Sequence, residues 1–132
     1  MKEIDVVAAI IKCGDEILCV QRGAAKFEYI SDKYEFPGGK IEIKETKEDA
    51  IIREIKEELK LNIVEPKFFH TVNYQYPDFF ITMHSYICLV DSKEVVLTEH
   101  IDHKWLKVEE LGKLDWAAAD IPIVKQLQKH TI

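Results

Sequence analysis

Residues 39–61, GKIEIKETKEDAIIREIKEELKL, constrain this chain more than any other stretch. Ile51, Ile55 and Leu59 recur every fourth residue and would form one apolar stripe on a helix. Glu54, Glu57 and Glu58 stand at i, i+3 and i+4 and share another face. The helix must therefore rest on a core while carrying three like charges beside the contact. Such a row is costly alone, and it suits a hard divalent cation, Mg2+ or Mn2+, which takes oxygen ligands. The plainer alternative, for the helix taken by itself, is a solvated Glu/Lys-rich face with Arg53 paired to Glu57 one turn on. Thr46 is placed to cap the helix start, with Asp49 as a weak capping-box partner. The helix is expected to run to about Lys60.

Around it the chain alternates short apolar runs with turn residues. Residues 4–12 are β-branched and apolar and predict a buried strand. Cys13-Gly14-Asp15 is a turn, residues 16–22 a returning strand, and residues 23–33 a loop. Tyr34-Glu35-Phe36 leads into the flexible turn Pro37-Gly38-Gly39. Strands are expected over 63–75 and 79–90, broken by Tyr76-Pro77-Asp78, and again over 103–108. A short helical turn follows at 109–111. Residues 121–129 predict a terminal helix with Ile121, Val124 and Leu127 as its core stripe. This mixture implies an α+β fold with a mixed sheet between helices. At 132 residues the chain is read as one domain, 1–132.

Several function classes are disfavoured. A net charge of -6 argues against a general nucleic-acid binder, although a metal-loaded carboxylate site would still bind polyphosphate. No apolar run reaches membrane-spanning length, and the opening MKEIDVV lacks a signal peptide's apolar region. Cys13, Cys19 and Cys88 show no CxxC spacing and are read as structural thiols in a reducing cytoplasm. His100 and His103 have no accompanying Cys and would splay on a strand, so they are read as hydrogen-bonded or surface groups rather than zinc ligands. Tyr74, Tyr76, Phe79, Phe80 and Tyr86 suggest aromatic packing near a hairpin, with base stacking as the alternative.

The spacing around the helix resembles the signature of the Nudix hydrolases: Gly, five residues, Glu, seven residues, Arg-Glu-apolar-any-Glu-Glu-any-Gly-apolar. Gly39, Glu45, Arg53, Glu54, Ile55, Glu57, Glu58 and Leu61 all stand in place. Lys60 departs from it, at the Gly that serves the left-handed exit from the helix and carries no chemistry. The start VVAAIIKCGDEILCVQR and the loop YEFPGGK look like the MutT-like branch, which includes 8-oxo-dGTP diphosphatases and CTP pyrophosphohydrolases. The segment WAAADIP, residues 116–122, looks most like the CTP group. The likeness covers most of the chain and is far less specific outside residues 39–61.

The resemblance implies a Nudix α/β/α sandwich and a Mg2+-dependent enzyme, with Mn2+ able to substitute. Its reaction would be attack of water on the β-phosphorus of a (deoxy)nucleoside triphosphate, giving monophosphate and pyrophosphate. By resemblance, Glu54, Glu57, Glu58 and the Gly39 carbonyl hold the metal, Arg53 orients the glutamates, and Glu45 supports Arg53. Glu54 or Glu99 would activate the water. Glu99 lies six residues before Trp105, as a loop glutamate does in MutT-like members, and is also counted with the metal ligands; its alternative is an exposed loop carboxylate.

Lys40, directly after the glycine pair, is a candidate phosphate contact, with a lone surface lysine as the alternative. By resemblance Phe36 lies against the base, with core packing as the alternative, and Arg22 and Phe79 are candidates for the pocket border. Asp120 either reads the base edge or caps the terminal helix before Pro122. An ionised Asp only accepts, which favours the cytosine amine or the guanine N1 and N2 edge. CTP, dCTP or modified cytidine nucleotides lead, and 8-oxo-dGTP is the alternative. Phe79 stands where some oxidised-guanine enzymes carry a polar side chain. A binding module that had lost catalysis would be expected to lack one or more metal glutamates, and all three are present. The expected partner is a small-molecule nucleoside triphosphate, with no nucleic acid or membrane, for a cytoplasmic monomer or homodimer.

Overall fold

The computed structural model describes residues 2–130. Its first strand sets the architecture. In β1 (Lys2–Cys13), residues 6–11 are all buried, because helices cover both faces of the sheet to which it belongs. Val7, Ala9 and Ile11 face α1 (Lys47–Leu59), and Val6, Ala8 and Ile10 face α2 (Ile121–His130). The run reads as continuously apolar for this reason.

The other strands are β2 (Glu16–Gln21), β3 (Tyr34–Glu35), β4 (Gly38–Lys40), β5 (Lys67–Gln75), β6 (Phe79–Leu89) and β7 (Asp102–Lys107). They form one mixed sheet in the order β3-β2-β1-β6-β5, with β4 on β1 and β7 on β2. β1 and β6 are parallel, and the remaining pairs are antiparallel. The result is the expected α+β sandwich.

α1 begins and ends as its sequence requires. Thr46 Oγ1 accepts from the Asp49 N–H at 3.1 Å. Lys60 closes the helix in the left-handed region, φ 56°, and donates its N–H to the Lys56 carbonyl at 3.1 Å. Lysine thus adopts the conformation in which the family pattern uses glycine.

Four local expectations need correction. The strand predicted from residue 63 starts at Lys67, because Glu65 takes φ 49° and Pro66 has no N–H to donate. The loop 23–33 contains a 3-10 turn at Glu28–Ile30. The turn at 109–111 extends to a 3-10 helix over Val108–Lys113, and another occupies Ala118–Asp120. The core stripe of α2 is Ile123, Val124 and Leu127, while Ile121 points outward at 39% exposure. Cys19 and Cys88 are buried free thiols, each pushed up to about 12 by burial, and are unreactive for that reason. Among the described residues, no helix is long and apolar enough to cross a membrane.

Candidate active site

The two glycines at the end of the Phe-Pro-Gly-Gly turn bring β4 and α1 together. Gly38 lies opposite Ala8, where a Cβ would overlap the Val7 carbonyl oxygen and come within 2.9 Å of the Ala8 Cα. Gly39 lies opposite Val7, where a Cβ would stand 2.5 Å from the Glu54 Cδ. The absence of a side chain at Gly39 therefore lets the Glu54 carboxylate lie directly on the strand backbone.

Arg53 organises the acids around it. Its Nε and Nη2 bond Glu45 at 2.7 and 2.9 Å, and its Nη1 bonds Glu54 at 2.9 Å and Glu57 at 3.4 Å. Nη2 also donates to the Lys40 carbonyl at 3.1 Å, which ties the helix to β4. Glu45 accepts the Glu42 N–H at 3.0 Å as well. Hydrogen bonding from Arg53, then from Glu42, holds the Glu45 carboxyl down near about 2, against an ordinary value of 4.5.

A depressed folded value means that Glu45 contributes its stability above the ordinary carboxylate range and loses it as the pH falls through about 2. Arg53→Gln should therefore move the acid-unfolding midpoint, followed by circular dichroism, to higher pH. An unmoved midpoint would mean that the pair adds no net stability.

Glu58 is the buried member of the helical trio, 3% exposed, and its Oε1 has no hydrogen-bond partner. Burial pushes its carboxyl up to about 10, reinforced by Glu54 and by the charges of Glu99 and Glu35. Glu57 is solvent-facing, with its side chain 59% exposed. Among the described residues, no three His, Cys, Asp or Glu side chains are already drawn together around one point. The donor set nevertheless fits a hard divalent cation: all are oxygens, one is orphaned, and burial, with the neighbouring carboxylates adding to it, disfavours the charge on Glu58 that such a cation would neutralise.

Beside this cluster a cavity of about 190 Å³ opens among β1, β4 and residues 117–120, with Glu35, Phe36, Phe79 and Asp120 in its wall. A wider cleft continues from it past Arg22, Lys26, Lys40 and Glu99. Asp120 is 2% exposed, and its Oδ1 accepts the Phe36 N–H at 3.0 Å. Its side-chain bond thus crosses to the segment between β3 and β4 rather than capping α2. Burial, then the charge of Glu35, pushes its carboxyl well above the usual range. A raised value favours the neutral form, which can donate as well as accept, whereas the acceptor-only expectation describes the ionised form.

Phe36 stacks on Trp116 with ring centroids 4.7 Å apart and is buried, so its ring serves the core while its N–H fixes Asp120. Tyr76 accepts the Ala119 N–H at 2.9 Å and packs on Phe79. Phe27 and Tyr29, from the loop before β3, join this aromatic group, whereas Tyr86 packs on the α1 side of the sheet.

Two further residues, Glu35 and His100, meet beside the site; the sequence assigns neither a role there, although it reads His100 as a hydrogen-bonded or surface group, and His100 is hydrogen-bonded. Glu35 lies 4.0 Å from Arg22 and 3.0 Å from His100 Nε2. Its one sequence signal is its place directly before Phe36. The partner and burial of His100 cannot be read locally, because they depend on how the loop after β6 folds back.

Fold and site together define a class: a helix–sheet–helix sandwich with an acidic helix face beside a cleft lined by Arg22, Lys40 and Glu99. The NUDIX domain model matches residues 1–127, and the chain belongs to the Nudix family. It is a Nudix hydrolase, a nucleotide pyrophosphohydrolase. The chain is 30% identical to the 8-oxo-dGTP diphosphatase of Escherichia coli (strain K12), covering 98% of this chain and 99% of that protein. It is 31% identical to the CTP pyrophosphohydrolase of the same organism, covering 95% and 91%. The crystal structure of the MutT protein from Methanosarcina mazei Go1 has the same fold, with a TM-score of 0.85 at 24% identity over 97% of this chain and 94% of that one.

Proposed function

We propose that this protein hydrolyses (deoxy)nucleoside triphosphates to the monophosphate and pyrophosphate, with cytidine nucleotides as the preferred substrates. The observation that carries the reading is the adjacency of the Glu54–Glu57–Glu58 face to a cleft that holds Glu99, Arg22 and Lys40 and leads to Asp120. Glu54, Glu57, Glu58 and Glu99, with the Gly39 carbonyl, are the groups that would hold Mg2+ or Mn2+. The ion, when bound, supplies charge neutralisation for the phosphates and acidifies a water.

The chain's own residues do the rest. Arg53 holds Glu54 and Glu57 in place. Arg22 and Lys40 bind the phosphate chain and hold it in line for attack. Water attacks the β-phosphorus, the bond to the α–β bridging oxygen breaks, and that oxygen leaves with the monophosphate. We assign the water's proton to Glu99, since Glu54 Oε1 is already committed to Arg53 at 2.9 Å.

The base preference rests on Asp120. A neutral carboxyl pairs one O–H donor with one acceptor, and this matches the cytosine N3 acceptor and N4 amine. A second reading, 8-oxo-dGTP, is supported by the relative named 8-oxo-dGTP diphosphatase, which covers 98% of the chain against 95% for the CTP enzyme. The reading includes a cytoplasmic setting, which suits three free cysteines and a free-nucleotide substrate.

The test is hydrolysis of CTP, dCTP, 5-methyl-dCTP, dGTP, 8-oxo-dGTP, ADP-ribose and diadenosine polyphosphates with Mg2+. Cytidine nucleotides should show the highest kcat/KM. A preference for 8-oxo-dGTP would overturn the base assignment, and no turnover at all would overturn the whole reading. Asp120→Ala should change the ranking of bases more than the Mg2+ requirement. Equal losses for every nucleobase would assign Asp120 to holding Phe36 alone.

A further inference from the structure

We propose that His100 is a positioning residue that clamps the Glu99 loop to Glu35. The proposal rests on the reading that Glu99 serves the reaction. Residues 90–101 connect β6 to β7 and wrap over the C-terminal end of α1. Val96 N–H donates to the Leu59 carbonyl at 3.0 Å, and Thr98 N–H to the Glu58 carbonyl at 3.1 Å. Thr98 Oγ1 bonds the carbonyls of Glu57 and Glu58 at 3.0 and 2.9 Å. These are carbonyls that the end of a helix leaves without an internal partner. The loop therefore fastens to the backbone of two of the acidic residues beside which Glu99 must work.

His100 fastens the other side. Its side chain is 5% exposed, and its Nε2 lies 3.0 Å from Glu35 Oε2. A carboxylate oxygen accepts, so Nε2 carries the proton, and Nδ1 is then left buried without a partner. Burying an unpaired ring nitrogen is unfavourable, and the contact with Glu35 is the compensation on that side chain. Glu99 is the residue between the two anchors. Thr98 ties it to α1, His100 ties it to β3, and neither backbone can shift without moving the carboxylate.

The test is a double-mutant cycle read in kcat. His100→Ala should lower kcat by roughly 10- to 100-fold, the cost of misplacing a reacting group by about 1 Å. The loss should be equal for every nucleotide hydrolysed, with KM changed by less than about threefold. His100→Gln, whose amide can still reach Glu35, should recover kcat to within about fivefold of wild type. In a Glu35→Ala background, His100→Ala should cost no more than about twofold further, because the clamp is already open.

Additive losses would overturn the proposal, and so would a His100→Ala protein that is less stable yet keeps its kcat. Should His100→Ala not fold, Glu35→Ala decides. Glu35→Ala with unchanged kcat refutes the clamp; a base-independent loss supports it if Glu35→Gln, which keeps an acceptor for His100 but not the charge facing Arg22, restores kcat, and overturns it if Glu35→Gln does not. A wild-type protein without turnover overturns the underlying reading, whereas an active wild type with an additive cycle overturns the clamp alone.

Discussion

Glu57→Gln should lower kcat at saturating Mg2+ by at least ~100-fold while the melting temperature stays within about 3 °C of wild type. Charge is the reason for the first part and exposure for the second. Gln keeps the shape of the side chain but removes the negative charge that a divalent cation selects. The side chain is 59% exposed, and its contact with Arg53 is a 3.4 Å surface pair, worth little to stability. Arg53 also keeps Glu45 and Glu54 when Glu57 is neutralised. An unchanged kcat/KM at saturating Mg2+ would remove Glu57 from the site. The same substitution at Glu58 would be a poorer test, because that carboxyl is buried and already inclined to hold a proton.

Gly38→Ala should destabilise the fold by about 3 kcal/mol, the upper range for overpacking a core, whereas Gly39→Ala should fold and lose activity. The two glycines are neighbours but meet different atoms. At Gly38 the added methyl would meet main chain, the Val7 carbonyl and the Ala8 Cα, and β1 is held by β6 from Lys2 to Lys12. It cannot give way without disturbing the central strand of the sheet. At Gly39 the added methyl would meet the Glu54 carboxylate, which can swing aside at the expense of its bond to Arg53. Urea unfolding separates these outcomes: the midpoint should fall for Gly38→Ala and hardly move for Gly39→Ala. A wild-type midpoint for Gly38→Ala would show that β4 can slide on β1.

Most of the framework was legible in the sequence because it follows from local periodicity. The stripe Ile51, Ile55 and Leu59 fixed α1 and its buried side, and all three are fully buried. Thr46 and Lys60 marked its ends, one by its hydroxyl and one by its position in a known pattern. The apolar run 6–11 marked a strand covered on both faces. Failures fell where local preference is weak. Ile121 and Ile123 are equally apolar, and the way α2 docks decided which of them is buried. Pro66 and Glu65 delayed β5 by a backbone conformation that composition does not reveal.

The helical acids, Arg53 and the glycine pair were set by the sequence alone, because the spacing of side chains on a helix needs no tertiary information. What surrounds those groups was set by the fold. Asp120 meets Phe36 from 84 residues away, and His100 meets Glu35 from 65. Whether Asp120 is ionised, and so which base edge it can read, depends on burial and on a second carboxyl brought near it by the sheet. Periodicity encodes which face of an element a residue occupies. The electrostatic environment of that residue is a sum over neighbours distant in sequence, and only the assembled fold supplies them.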